Sequence, residues 1–91
     1  MTLYHTTPSR NLHSIFQRGL RLHNGVVWLH TKATTRWARV HLARHHKCEV
    51  DDMDTVTVSV RRDLLRRVGG LVPGRFICFS NIPPSAIGAI L

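Results

Sequence analysis

The chain begins Met1-Thr2-Leu3-Tyr4-His5-Thr6-Thr7-Pro8, and the residues best able to do chemistry stand at the end of that run. A neutral imidazole at His5 offers one donor and one acceptor, and Thr6 and Thr7 add two hydroxyls beside it. The three residues sit between a short apolar run and a helix-like pattern closing on Gly19-Leu20. That junction suits groups that hydrogen-bond a ligand. A strand-end histidine satisfied by backbone groups is the plainer reading.

Other residues compete for attention. The run His41-Leu42-Ala43-Arg44-His45-His46-Lys47-Cys48 puts His41 and His45 four apart on one helix face, with Cys48 a turn beyond. The glutamate of the zinc-protease pattern is missing, since Leu42 occupies its place, and Arg44 and Lys47 oppose a cation. No metal site is expected. Trp28 and Trp37 can form an apolar wall for a ring, but in so small a domain their bulk points first to the core.

Charge narrows the class of partner. Thirteen Lys and Arg against five Asp and Glu give a net charge of +8. All five acids, Glu49, Asp51, Asp52, Asp54 and Asp63, fall between residues 49 and 63, and the first 48 residues carry eight basic side chains and no carboxylate. Such a field favours a nucleic acid or a phosphate-bearing ligand. Arg10, Arg21, Arg36, Arg39 and Arg44 are the candidate phosphate contacts. The pairs Arg61-Arg62 and Arg66-Arg67 extend a basic surface that serves equally as a solvated face.

Positioning elements follow from periodicity. Leu3-Tyr4-His5 predicts a strand, and Ser9 can cap a helix with Leu12, Ile15 and Phe16 as its apolar stripe and Gly19 as its stop. Asn24-Gly25 reads as a turn and Val26 to Leu29 as a buried strand. Thr34 or Thr35 can cap a second helix, running to about His45, with Trp37, Val40, His41 and Arg44 along one side. Glu49 to Asp54 reads as a loop. Thr55 to Val60 alternates as a half-buried strand does. Arg61 to Val68 reads as a helical turn or strand extension, Phe76 to Phe79 as another strand, and Pro84 as the start of a last short helix. The order β-α-β-α-β-β makes one α+β domain over residues 1–91. The apolar fraction of 43% excludes wholesale disorder. No apolar run approaches the ~20 residues that span a bilayer and no signal peptide opens the chain, so a cytoplasmic protein with two free thiols, Cys48 and Cys78, is expected.

His5-Thr6-Thr7 at a strand end, followed by a helix closing on Gly-Leu, resembles the first motif of the ADP-ribosyltransferase fold. The look is nearest to the RNA 2′-phosphotransferases and the DNA-ADP-ribosylating toxins. Val27-Trp28-Leu29-His30-Thr31 stands where the family's second strand stands. Gly74 to Phe79 and Ile82-Pro83-Pro84 resemble its closing strand and exit. The resemblance implies an NAD-dependent domain acting on a nucleic-acid or phosphorylated acceptor. It implies that His5 bonds a ribose hydroxyl, that the Thr6 backbone reads the nicotinamide amide, and that Thr7 fixes the turn or touches the ribose. Trp28, His30 and Trp37 would complete the cofactor site, and Arg44 and Arg75 would serve catalysis by engaging phosphates.

Many members carry a glutamate on the late strand, where this chain has Arg75, and Arg44-His45 resembles the Arg-His pair of the phosphotransferase branch. An already ionised nucleophile such as a 2′-phosphate needs no carboxylate base, and arginines would position it. A complete phosphotransferase is not expected, because the family's N-terminal domain and its arginine are not in this sequence. The alternative is the same fold, catalytically silent, as a basic nucleic-acid-binding or partner-binding module.

Overall fold

The computed structural model describes all 91 residues. Eight regular elements follow one another: β1 (Thr2–Pro8), α1 (Leu12–Arg18), β2 (Val27–His30), α2 (Thr35–His46), β3 (Met53–Ser59), β4 (Leu65–Arg67), β5 (Arg75–Cys78) and β6 (Ile87–Ile90). The strands form one six-stranded sheet in the order β4-β5-β2-β1-β3-β6, with every pair antiparallel. The result is a small α+β domain. No helix is long and apolar enough to cross a membrane.

Period-2 alternation divides the sheet into two faces. Leu3 stands opposite Val58 across the β1–β3 ladder and Leu29 opposite Phe76 across the β2–β5 ladder. These residues, with Ile15 of α1, Val27, Val56, Cys78 and Ile82, make the apolar core. On the other face α2 packs across β1 and β3. It buries Ala38 and Ala43, small enough for close approach, while Thr6, Pro8, Met53 and Thr55 are buried in the strands.

Two glycines set the loops that reach the sheet. Gly19 ends α1 at φ +77, and a Cβ there would run into the Ile82 carbonyl. Its bare backbone lets Leu20 and Ile82 exchange two N–H···O bonds of 2.8 Å. Gly74, at φ +78, lies against the hydroxyls of Thr31 and Thr34 at the entry to β5. Asn24 and Gly25, at φ 51 and 81, make the expected tight turn between the bridged residues His23 and Val26.

Several elements differ from the sequence reading. The segment after Pro84 is a single 3-10 turn leading into β6, an edge strand beside β3, not a short helix. Both readings of Arg61 to Val68 hold in part, since Arg62–Leu64 is a 3-10 turn and Leu65–Arg67 is β4, which forms three pairs with β5 and does not extend β3. The strand expected from Thr55 begins at Met53, so Asp54 lies within it, and Val50–Asp52 is a 3-10 turn. Ser9 does not cap α1; it starts a 3-10 turn and donates its hydroxyl to the Asp52 carbonyl at 2.9 Å. Thr34 is the N-cap residue of α2, but its hydroxyl donates to the Pro73 carbonyl at 3.0 Å and caps nothing. Phe16, Val40 and Arg44 of the proposed helix stripes are exposed.

Candidate functional site

β1 is joined to its two neighbours very unequally. Against β3 it forms seven successive pairs, from Thr2↔Ser59 to Pro8↔Met53; against β2 the ladder is the single pair Tyr4↔His30. Past that pair the strands part, and a cleft of about 710 Å³ opens. Its walls come from His5 to Thr7 of β1, the segment from Leu20 to Val26, β2, the inner side of α2, and Arg75 of β5. The volume lies within the roughly 300–1,000 Å³ usual for small-molecule and cofactor sites.

Side chains take over where the ladder stops. The Nδ1–H of His5 donates to the Trp28 carbonyl at 2.8 Å, a bond that crosses the gap between the strands. A carbonyl only accepts, so the neutral ring carries its proton on Nδ1 and keeps a lone pair on Nε2. Nε2 bonds no protein group. Burial of the ring holds its pKa below the ordinary histidine value, and the His30 ring adds to that; the bond to Trp28 acts the other way. His5 therefore presents a hydrogen-bond acceptor at neutral pH.

A second polar line runs beneath it. His30 donates Nδ1–H to the Thr31 carbonyl at 2.8 Å, which leaves Nε2 as an acceptor, 2.8 Å from the Thr6 hydroxyl. Thr6 must donate there, so it accepts from the Thr55 hydroxyl at 2.7 Å. All three side chains are buried, and the ring of Tyr4 lies over His30 at 6.3 Å. His30 likewise has its pKa lowered by burial, against the bond to Thr31. The line Thr55–Thr6–His30–Thr31 is internally satisfied and holds β1, β2 and β3 together.

The expected site residues divide accordingly. His5, Thr6, Thr7, Trp28, His30, Trp37, Arg21 and Arg75 line the one cleft. The side chains of Thr6 and His30 are spent within the protein, and the Thr7 hydroxyl accepts from the Asn11 amide at 3.1 Å. Arg44, Arg10, Arg36 and Arg39 do not line it. Arg36 and Arg39 border a shallow depression at the start of α2, beside Lys32 and Asp51. In the Arg-His pair, it is His45 rather than Arg44 that lines the cleft.

Neither tryptophan is core. Trp28 is 51% exposed, and Trp37 is half-buried. Trp37 stacks on His41 with ring centroids 4.7 Å apart, and the Arg75 guanidinium lies 5.3 Å from its ring. The Arg75 guanidinium otherwise bonds only carbonyls, of Val72 at 3.3 Å and Gly69 at 3.4 Å. The only ion pair in the protein is Arg61–Asp63 on the surface, and no carboxylate lines the cleft. Cys48 and Cys78 are free thiols.

Sequence reasoning overlooked His23, His41, His45 and His46 as parts of this wall. The i, i+4 spacing of His41 and His45 points to a shared helix face, and His45 also belongs to the Arg-His pair of the resemblance, but neither feature indicates that this face borders a cleft. Compared with protein-family models the chain matches none, and no curated protein matches it either.

Proposed function

We propose that the chain is a minimal ADP-ribosyltransferase-like domain that transfers ADP-ribose from NAD to a phosphorylated acceptor, with an RNA 2′-phosphate or another nucleic-acid phosphate as the favoured class. The observation that carries the reading is the His5 ring. It is anchored across the β1–β2 gap by Nδ1, and its unpaired Nε2 borders a cofactor-sized cleft.

The residues present fit the dinucleotide. His5 Nε2 accepts from a ribose hydroxyl and fixes the sugar's orientation. The indoles of Trp28 and Trp37 offer flat apolar faces to a nicotinamide ring, while Arg21 and Arg75 supply positive charge for phosphates. In the reaction the bond between ribose C1′ and the nicotinamide nitrogen breaks with its electron pair on that nitrogen, and an acceptor oxygen bonds C1′. A phosphate oxygen is already anionic, so no proton has to be removed. A cleft without a carboxylate suits that acceptor and would serve a neutral hydroxyl poorly.

Nicotinamide release from labelled NAD, measured with 2′-phosphorylated RNA and 5′-phosphorylated DNA, tests this. Loss of one positioning hydrogen bond of this kind costs on the order of 10²-fold or more, so His5→Ala should reduce release by that factor. Equal release by the variant, or none with any acceptor, would refute it. The same missing carboxylate also favours a second reading, a catalytically silent module of the same fold. That module would bind nucleic acid in a salt-dependent way, indifferent to His5→Ala, with no NAD consumed.

A further inference from the structure

Six of the seven histidines line the cleft: His5, His23, His30, His41, His45 and His46. They reach it from β1, from the hairpin before β2, from β2 and from α2. The lining contains two cationic side chains that are always charged, Arg21 and Arg75, and no carboxylate. Arg10 adds its charge close to His46 from outside the wall. Concentrating nearly all of a protein's imidazoles in one cavity, with nothing negative among them, creates a specific electrostatic problem. Each ring that gains a proton does so against guanidinium groups and its neighbouring rings.

The rings are not equivalent. His30 has both nitrogens engaged within the protein, and burial lowers its pKa. His5 has only Nε2 open. His45 and His46 meet edge to face at 5.1 Å, so a charge on one opposes a charge on the other. His46 is held below the ordinary histidine pKa by partial burial, then by His45 and Arg10. His41 lies flat on Trp37, with the ring planes 10° apart. His41, His45 and His46 are all exposed, so water and ions reach them. What the wall lacks is a counter-charge, and a ligand can bring one.

We propose that this cleft binds the diphosphate of a nucleotide and takes protons onto its α2 histidines as it does so, which makes anion affinity rise as pH falls. The proposal deepens the reading above. It rests on that reading for the choice of nucleotide, while the coupling of anion to proton stands on the histidine wall alone. The physics is reciprocal linkage. An anion placed among the rings favours their charged forms and draws protons from solution. By the same free energy, supplying protons tightens the anion. Each whole proton taken up on binding corresponds to an affinity change of about tenfold per pH unit.

The probe is ADP-ribose, whose diphosphate is esterified at both ends and so keeps a constant charge through the histidine range. Titration calorimetry at pH 6.5, in two buffers of different ionisation enthalpy, counts the protons bound with it. Wild type should take up at least half a proton, and its affinity should weaken at least threefold per unit between pH 6 and 7.5. In the triple variant His41→Gln, His45→Gln, His46→Gln, uptake should fall below half the wild-type value, with the affinity at pH 6 dropping towards that at pH 8. All three positions are exposed, and circular dichroism checks the fold. No binding at pH 6, binding without proton uptake, or full uptake in the triple variant would each overturn the proposal. Failure of NAD turnover would leave it untouched, because ADP-ribose binding needs no reaction.

Discussion

The two edges of β1 follow opposite rules. Towards β3, seven backbone pairs close the edge, and the core-face side chains along it, Leu3, Val56 and Val58, are apolar and almost fully buried. Towards β2 one pair remains, and a histidine ring bridges the gap to a carbonyl. On the α2 face of that edge the buried side chains are polar, Thr6 and His30, and they bond each other, while Val27 and Leu29 of β2 face the apolar core. A sheet interrupted at its centre loses ladder hydrogen bonds, and buried backbone groups left without partners are costly. Here side chains offset part of that loss, and the ones that do so border the cleft. Splitting the sheet and building the site are a single structural event.

The closed edge should be the more sensitive to loss of volume. Leu3 is 1% exposed and packs in the central cluster, so Leu3→Ala should cost about 2–5 kcal/mol in urea unfolding. A cost below about 1 kcal/mol would mean the closed edge is not the anchor of the fold. On the open edge the sensitivity should be to polarity. Thr6→Val keeps the shape but leaves His30 Nε2 and the Thr55 hydroxyl without their partner, at about 1–3 kcal/mol. The double variant Thr6→Val, Thr55→Val should recover part of that cost, because it removes the orphaned hydroxyl. No recovery would separate the two threonines energetically.

Acid should discriminate between the edges more gently. His5 and His30 both have folded pKa values below their unfolded ones, so the unfolded chain binds protons first as pH falls. Their stabilisation is therefore complete above the unfolded value of roughly 6.5 and is lost as pH drops through it towards the folded values. Tm should decline from pH 7.5 to 5.5, and less steeply with ADP-ribose present. A flat or rising profile would contradict the buried, neutral rings.

Local pattern carried much of the fold. The alternation of Thr55 to Val60, the Asn24-Gly25 turn and the Gly19 stop each rest on chemistry within a few residues. β4 and β6 depend on partners far along the chain. Leu65–Arg67 is a strand because Arg75–Cys78 lies beside it, and Ile87–Ile90 because β3 offers an edge; alone, both segments are too short for a period to show. The site was legible in its types and incomplete in its extent. His5 stood out through its setting. Size alone sends Trp28 and Trp37 to the core, whereas the resemblance puts them at the cofactor, and both line the cleft, which keeps large side chains partly exposed. The α2 histidines could be placed only once the sheet was seen to open beneath that helix.

The central claim is that the His5 ring meets the nicotinamide dinucleotide in the β1–β2 cleft, and ring-resolved NMR tests it without requiring turnover. Imidazole nitrogen–proton spectra would follow His5 and His13, the one histidine outside the cleft, during titration with NAD. The account predicts a saturable shift of His5 Nε2 with His13 unmoved. A His5 signal indifferent to saturating NAD would contradict it.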